Sequence, residues 1–481
     1  MFDATAKMKM LRVFTTATML ASSVTACTIG PNYRRPDIDV PPAWRLGATE
    51  SAEISNVAGW DQFQDPVLSE LVRTALVNNK DLKIATANVD QAFAQYGITR
   101  AAQFPQITAG ASALRERTSA NAGFPAGVTF NDFGVNLSAS FELDVWGRLR
   151  RATESARASL LASAEGRGAV VLTVVTTVAT GYIQLRALDR QLDIARYTSR
   201  SLGEAARLQR IRFEEGAIPQ SDYQQAEAQY RDAAARVPEL EREIARQENF
   251  ISVLLGGNPG PIARGRDIDS LLFPMVPAGL PATLLERRPD IRQAEQQLIA
   301  ANANIGVAKA AYFPSLTLSA TGGYQSNSMA NLLTLPNRFW SIGPALAQTL
   351  FDGGARRAQT DQAIAVYDQN VAIYRQTVLT GFQEVEDNLA ALRILEQEAQ
   401  VQDEAVQLAR KSVELMTNQY KAGIVSYLDV ITTQTTALNS ELNAVNIQNR
   451  RLTASVLLIK ALGGGWHADA LPTAAATAGD K

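Results

Sequence analysis

Residues 133–145 have the pattern of one long β-strand with an apolar and a polar side. Over these 13 residues, apolar side chains occupy the odd positions, and Gly, Asn, Ser, Glu or Asp occupies the even ones. A typical strand has only about five or six residues. A longer strand with one apolar face is typical of a transmembrane β-barrel. The even positions would then face water inside the barrel, which predicts four lumen-facing residues: Asn136, Ser138, Ser140 and Glu142.

The chain contains a tandem duplication. Phe104-Pro105 recurs 209 positions later as Phe313-Pro314, and Leu255-Gly256-Gly257 recurs 207 positions later as Leu462-Gly463-Gly464. Offsets that differ by only two residues over this distance indicate two copies of one unit. We therefore predict a first repeat, a connector and a second repeat over residues 60–257, 258–280 and 281–465. The predicted strands are 106–115 and 133–145 in the first repeat, and 315–325 and 340–350 in the second.

Helical segments accompany these strands in both repeats. Each repeat opens with a helical segment that stops before Phe-Pro, because proline disfavours the helical conformation of the residue before it. Long helical regions follow at about 149–215 and 355–421. At about 1.5 Å per residue, each would extend roughly 100 Å. A glycine ends each long region, and a return helix of about 35 residues follows. Pro238 lies within the first return helix, where we expect a kink or a break.

Four strands cannot close a barrel within one chain. An open sheet edge in lipid leaves backbone N–H and C=O groups unpaired, at several kcal/mol each. About eight strands are needed for closure. Two chains would supply eight strands around a packed interior, whereas three would supply twelve around an open lumen, so a channel requires at least three copies. A water-soluble β-sandwich with coiled-coil arms stays open as an alternative, because alternation alone fits both.

The N-terminal segment has the order of a secretory signal. Basic residues precede an apolar stretch that ends in small residues next to the only cysteine, Cys27. The run Val24-Thr25-Ala26-Cys27 resembles the lipobox of bacterial lipoproteins, in which the cysteine is acylated after cleavage. We therefore expect a signal peptide over 1–26 and a lipidated, extended arm over 27–59. The cysteine is followed by Thr28 and not by an acidic residue, which by resemblance to lipoproteins favours an anchor in outer-membrane lipid. The Ala/Thr-rich tail over 466–481 is expected to be disordered.

Composition argues against most enzymatic functions. With one histidine and one cysteine, the chain lacks the residues for a histidine-based triad, a Cys/His zinc site or a disulfide framework. A net charge of −2 leaves no basic excess for nucleic-acid phosphates. We predict no enzyme, no cofactor, no metal and no nucleic-acid partner. Two other functions stay open: a glycosidase that uses Glu142 and Asp144, and a trimeric adhesive coiled coil.

Three runs of residues are specific enough to suggest a family. They are Gly30-Pro31-Asn32-Tyr33, Leu284-Leu285-Glu286-Arg287-Arg288-Pro289-Asp290-Ile291-Arg292-Gln293-Ala294-Glu295 and Ala308-Lys309-Ala310-Ala311-Tyr312-Phe313-Pro314. With them, the chain after Cys27 resembles the NodT-type efflux lipoproteins among the TolC-like outer-membrane factors. This resemblance implies a mixed α and β membrane protein, namely a trimeric twelve-stranded β-barrel with four strands per chain. A long α-helical, coiled-coil-like periplasmic tunnel with an equatorial domain would continue the barrel.

The resemblance also implies a function and partners. The protein would be the passive outer-membrane duct of a tripartite pump, which exports small molecules. Its partners would be two further copies of the chain, a periplasmic adaptor protein and an inner-membrane pump of the resistance-nodulation-division type. An outer-membrane duct for type I protein secretion is the alternative.

Site residues follow from the same resemblance. Leu428 matches a leucine that forms an apolar constriction at the periplasmic mouth in relatives, and Thr432 stands where they often have aspartate. Asp429 is the nearest acidic residue, although one position after Leu428 it points to another side of a helix. These three residues form the predicted periplasmic gate. The predicted adaptor-docking tips are Gly216, Ala217, Ile218, Gly423, Ile424, Val425 and Ser426.

Overall fold

The structure is a computed structural model that describes residues 28–45, 63–121, 127–273, 281 and 284–464. The predicted signal peptide over 1–26, Cys27 and the predicted tail lie outside these residues. The chain divides into two compact units. The first comprises 28–37, 89–121, 127–163 and 293–374, and the second comprises 38–45, 63–88, 164–273, 281, 284–292 and 375–464.

The described residues form α-helices and one antiparallel sheet, so the fold is mixed α and β. In chain order the elements are α1 (Pro66–Asn78), α2 (Lys80–Ala101), β1 (Gln106–Arg117), β2 (Thr129–Leu143), α3 (Arg148–Glu214), α4 (Gln220–Leu254), α5 (Leu284–Arg287), α6 (Pro289–Ala310), β3 (Ser315–Ser326), β4 (Arg338–Ala347), α7 (Ala355–Lys421) and α8 (Tyr427–Ala461).

The sheet of the first unit is a four-stranded meander in the order β1-β2-β3-β4. Each repeat contributes one hairpin, and the β2–β3 pair joins the two repeats. Paired residues lie on the same face of a sheet, so the pairing shows whether the apolar positions of neighbouring strands lie on one face. Leu137 of β2 pairs with Ala109 of β1 and with Gly322 of β3, and all three lie on the apolar face. β1 and β4 are the edges, and among the described residues each pairs on one side only.

The N-terminal arm is bound to the helices of the first unit by an ion pair and by hydrogen bonds. The guanidinium of Arg35 binds the Glu295 carboxylate through two N···O distances of 2.7 Å, and the Tyr33 hydroxyl donates to the same carboxylate. Burial raises the pKa of Tyr33, and the charge of Glu295 raises it further. Arg151, which is 4% exposed, donates to the Asn32 side chain at 2.7 Å. The arm is therefore part of the folded unit.

Two glycines allow this arm to approach the helices closely. Gly30 has a φ of +106°, and a Cβ built on it would lie 2.4 Å from the Cα of Gly306. A Cβ on Gly147 would lie 2.2 Å from the Thr28 side chain. Thr28, the first described residue, therefore lies against the turn that follows β2.

The core of the second unit is built around the middle of α3. Val178, Tyr182 and Ile183 are fully buried there, packed among side chains from α1, α4 and α8. By length and composition alone, α3 contains a window apolar enough to cross a membrane, but 61% of that window is buried inside the protein. This apolar stretch is therefore core.

The duplication is visible at the helix ends of the second unit. The buried side chain of Asn79, which precedes α2, donates to the Leu254 carbonyl at the end of α4. At the corresponding position of the second repeat, Arg288 precedes α6 and donates to the Ala461 carbonyl at the end of α8. Different side chains thus provide the same helix-end hydrogen bond in the two repeats.

Pro238 does not break the return helix of the first repeat. Helix α4 continues through Pro238 from Gln220 to Leu254, so a break there is wrong, and a kink stays a prediction. Proline removes one backbone N–H donor, and a long helix retains its other hydrogen bonds.

Candidate channel wall and hairpin tips

The polar face of the sheet carries rows of hydroxyl and amide groups. The amide of Asn136 donates to the Ser138 hydroxyl at 3.0 Å, and this hydroxyl lies 3.2 Å from that of Thr321 on the next strand. One row crosses all four strands: Thr108, Ser138, Thr321 and Ser341. Ser140 and Glu142 share the face, because they continue the same alternation along β2. This face suits contact with water.

Both carboxylates at the end of β2 are engaged. Arg148 holds Glu142 with N···O distances of 2.7 and 2.8 Å. Asp144 accepts from the backbone N–H groups of Leu149 and Arg150 in the first turn of α3, where a carboxylate satisfies the unpaired helix donors. Each carboxylate therefore has a structural partner. This geometry gives no support to the glycosidase alternative.

The opposite face of the sheet exposes large apolar side chains. Ile107, Ile342 and Leu346 are 65–72% exposed in the single chain. Contiguous apolar surface of this kind marks a contact with lipid or with another protein. Together, the two faces have the polarity of a membrane channel wall, with lipid on one side and water on the other.

The two hairpin tips of the second unit have the same backbone structure. Gly216 follows α3 with a φ of +72°, and Gly423 follows α7 with a φ of +76°. In each tip the next residue, Ala217 or Ile424, donates its N–H to the carbonyl five positions earlier, which completes a Schellman motif. Ile424 is 72% exposed. The remaining tip residues are exposed or half-buried: Ile218, Val425 and Ser426.

The predicted gate residues lie in the first turns of α8. Leu428 is 50% exposed, and Thr432, one turn later on the same side, is also exposed and donates to the Leu428 carbonyl. The carboxylate of Asp429 accepts from the backbone N–H and the hydroxyl of Ser426, at 2.9 and 2.6 Å. Asp429 thus caps the helix in a capping box. The structure brings Leu428 and Thr432 together and directs the Asp429 carboxylate to the helix end.

A tyrosine near the tips was not singled out from the sequence as a site residue. The hydroxyl of Tyr420 on α7 accepts hydrogen bonds from Gln209, at 2.6 Å, and from Arg212, and both donors belong to α3. Its ring lies 5.4 Å from that of Tyr427 on α8. Burial raises the pKa of Tyr427 to about 12, with a smaller contribution from Tyr420. Apolar residues at alternating spacings of three and four, from Val406 through Val413 to Tyr420, indicate a helix seam. This spacing does not reveal the donors on α3, because they belong to the other repeat.

The described residues contain no group of three or more His, Cys, Asp or Glu side chains that could hold a metal ion. A groove of about 560 Å³ in the second unit is lined by charges of both signs, including Arg190, Arg410 and Glu441. These residues form no constellation of nucleophile, base and oxyanion donor.

Comparison with known proteins identifies the class. The family model described as outer membrane efflux protein matches residues 71–257 and 280–464. The chain therefore belongs to the outer membrane efflux protein family.

Individual relatives match nearly the whole chain. The probable efflux pump outer membrane protein TtgC of Pseudomonas putida is 36% identical over 467 residues, which cover 94% of this chain and 96% of that protein. The pyoverdine export outer membrane protein OpmQ of Pseudomonas aeruginosa is 33% identical, over 92% of this chain and 95% of that protein. Among solved structures, the Campylobacter jejuni CmeC outer membrane channel superposes with a TM-score of 0.87 at 25% identity, covering 92% of this chain and 96% of that chain.

These findings confirm several predictions made from the sequence. The chain has the mixed α and β fold of TolC-like trimeric outer-membrane channels. It is the outer-membrane component of an efflux pump and lies in the outer membrane, from which such channels extend into the periplasm. It works as a trimer with an adaptor and an inner-membrane pump of the resistance-nodulation-division type. The water-soluble sandwich and the adhesive coiled coil are wrong.

Proposed function

We propose that the sheets of three copies close side by side into one barrel, whose polar face lines a passive duct. The observation that carries this proposal is the separation of the two faces, combined with edge strands that pair on one side only. Asn136, Ser138, Ser140 and Glu142 would then border the water-filled lumen. Arg148 neutralises Glu142, so this wall offers cargo mostly uncharged hydrogen-bonding groups. The chain performs no chemistry of its own on the cargo.

The ends of the hairpins would provide a gate and a docking surface. Three copies of Leu428 around the axis would form an apolar ring that excludes ions by dewetting, with Thr432 lining the next turn. Because its carboxylate is already bound to Ser426, Asp429 would contribute by holding the first turn of α8 in place. The adaptor would dock on the exposed tips around Gly216 and Gly423, where Ile424 offers an apolar contact.

The cargo would be small organic molecules. The names of relatives mention antibiotics, toluene and pyoverdine, which are chemically diverse. A wall of mostly neutral polar groups discriminates weakly among such molecules, so selection would take place mainly in the pump.

The N-terminal arm would carry a lipid anchor. The arm is packed in the first unit up to Thr28, which lies against Gly147 just after β2. A lipidated Cys27 would therefore emerge beside the end of the sheet from which the helices continue. An acyl chain there would enter the leaflet that borders this end of the barrel.

Planar-bilayer conductance of the purified trimer tests the duct and its gate. Leu428→Ser should raise the single-channel conductance, because a hydroxyl ring retains water that a leucine ring expels. Leu408→Ser is the matched control, since Leu408 is also exposed but lies on α7. Unchanged conductance in Leu428→Ser would remove Leu428 from the gate. A trimer that never conducts would refute the duct.

A further inference from the structure

The pairing between the two repeats provides a template for pairing between copies. Within the chain, Gln106 pairs with Ser140, and its counterpart Ser315, 209 residues later, pairs with Ala347. Each β4 residue therefore corresponds to the β2 residue 207 positions earlier. In the closed barrel, β4 of one copy is followed by β1 of the next, as β2 is followed by β3 within the chain.

Transferring the β2–β3 register to this junction, which we call the seam, gives specific partners. Ala139 pairs with Ala320 within the chain, so Leu346 should pair with Ala111 of the neighbouring copy. In the same register, Trp340 pairs with Arg117 of the neighbouring copy. This register keeps apolar residues on one face across the seam, as the membrane requires, whereas a shift by one residue would reverse the faces.

Near the seam, arginines lie on the lipid-facing side at the loop end of the sheet, which is the end where β1 leads into β2 and β3 leads into β4. Arg115 and Arg117 continue the apolar face of β1, and Arg338 continues that of β4 two residues before Trp340. Diagonal neighbours on adjacent strands lie about 7–8 Å apart. Arg338 of one copy and Arg117 of the next are such neighbours.

No described acidic side chain on the lipid-facing side of the sheet neutralises the charge of these arginines. All three are exposed, and none has an ion pair with a described carboxylate of its own chain. Glu116 and Asp132, the acidic residues of these strands near the loop end, lie on the opposite, polar face. The guanidinium groups are therefore available to a ligand outside the barrel.

Aromatic residues indicate the depth of this cluster in the membrane. Trp340, which is 72% exposed, and Tyr324 both lie on the lipid-facing side, and Tyr324 pairs with Arg338. Aromatic residues on the outside of a barrel mark the boundary between acyl chains and headgroups. The arginines lie at and beyond this boundary, on the end away from the helices, which faces the outer leaflet. Arginine is the residue best suited to bidentate binding of phosphate.

We propose that each seam binds a phosphorylated glycolipid of the outer leaflet through Arg117 of one copy and Arg338 of the next, with Arg115 close by. This site rests on the proposed barrel closure and exists only where two copies meet. It would also couple lipid binding to trimer stability, because the lipid phosphate would bridge two chains.

Disulfide trapping tests the register first. Ala111→Cys combined with Leu346→Cys should yield covalently linked trimers on mild oxidation. Ala111→Cys combined with Ile342→Cys keeps both cysteines on the same face but four residues out of register, and it should not cross-link. Cross-linking by the second pair, or by neither pair, would overturn the proposed seam.

Lipid retention then tests the ligand. Purified trimer in detergent is incubated with bisphosphorylated lipid A or with its dephosphorylated form, and bound lipid is counted by native mass spectrometry. We expect about tenfold tighter retention of the phosphorylated form, the effect of one or two charge-assisted hydrogen bonds. Arg117→Gln combined with Arg338→Gln should abolish this preference, whereas Arg393→Gln, an exposed arginine of α7, should not.

Equal retention of the two lipids by the unaltered trimer would overturn the proposal. This comparison needs no variant, so it decides the question even where the double variant fails to assemble. The conductance of the same preparation distinguishes a failure of the lipid-site proposal from a failure of the duct proposal. A conducting trimer without phosphate preference refutes only the lipid site, whereas a non-conducting one refutes the duct itself.

Discussion

The hydroxyl of Tyr420 joins the two repeats near the hairpin tips through hydrogen bonds from Gln209 and Arg212. Tyr420→Phe removes this acceptor and retains the ring. Gln209 is only 1% exposed and its side-chain oxygen already lacks a partner, so its amide N–H would be left buried and unpaired. Leaving such a group buried without a hydrogen-bond partner lowers the free energy of unfolding by about 1–3 kcal/mol. Arg212 is half-buried and regains water, so the loss of its hydrogen bond adds about 1 kcal/mol.

The expected destabilisation is therefore about 2–4 kcal/mol per chain, localised to the tips. Since 1.4 kcal/mol is a factor of ten, amide hydrogen exchange should accelerate at least about thirtyfold at the ends of α3 and α7. The structure offers a matched control in Tyr427→Phe, because the Tyr427 hydroxyl is buried without a hydrogen-bond partner in the described chain. Its removal should leave exchange unchanged or slightly slower. Equal acceleration by the two variants would refute the assignment of Tyr420 as the joint.

Three further predictions follow from the arm and the second unit. Cys27→Ser should abolish palmitate incorporation, and labelling that persists would exclude Cys27 as the anchor. Arg288→Ala should lower the free energy of unfolding by about 3–5 kcal/mol, because buried Arg288 neutralises two carboxylates and donates to the Ala461 carbonyl. Thermal unfolding measures this loss, and the exposed Arg287→Ala should show no comparable one. Burial raises the pKa of Tyr427 from 10 to about 12, so tip stability should be complete below pH 10 and decline towards pH 12. Tyr427→Phe should remove this decline, and a decline of the same size in the variant would contradict its assignment to Tyr427.

The two ends of strand β2 could not be predicted from the alternation of apolar and polar side chains. Alternation predicts β2 over 133–145, whereas the strand runs from Thr129 to Leu143. Its start is set by the hairpin partner, because Thr129 pairs with Arg117. Its end is set by Asp144, which leaves the ladder to accept from the first N–H groups of α3. Both limits depend on partners elsewhere in the chain, which a period of two does not reveal.

The sequence by itself determined the repeats, the polarity of the two sheet faces and the need for more than one copy. These features depend on local periodicity and on the cost of unpaired backbone groups in lipid, and both can be read along the chain. Only the tertiary structure decided which side chains from distant segments bind each other: Glu295 is bound by Arg35 of the arm, and Tyr420 by donors of the other repeat. The physical reason is that a hydrogen bond has a range of about 3 Å, so its partners are selected by packing and not by distance along the sequence.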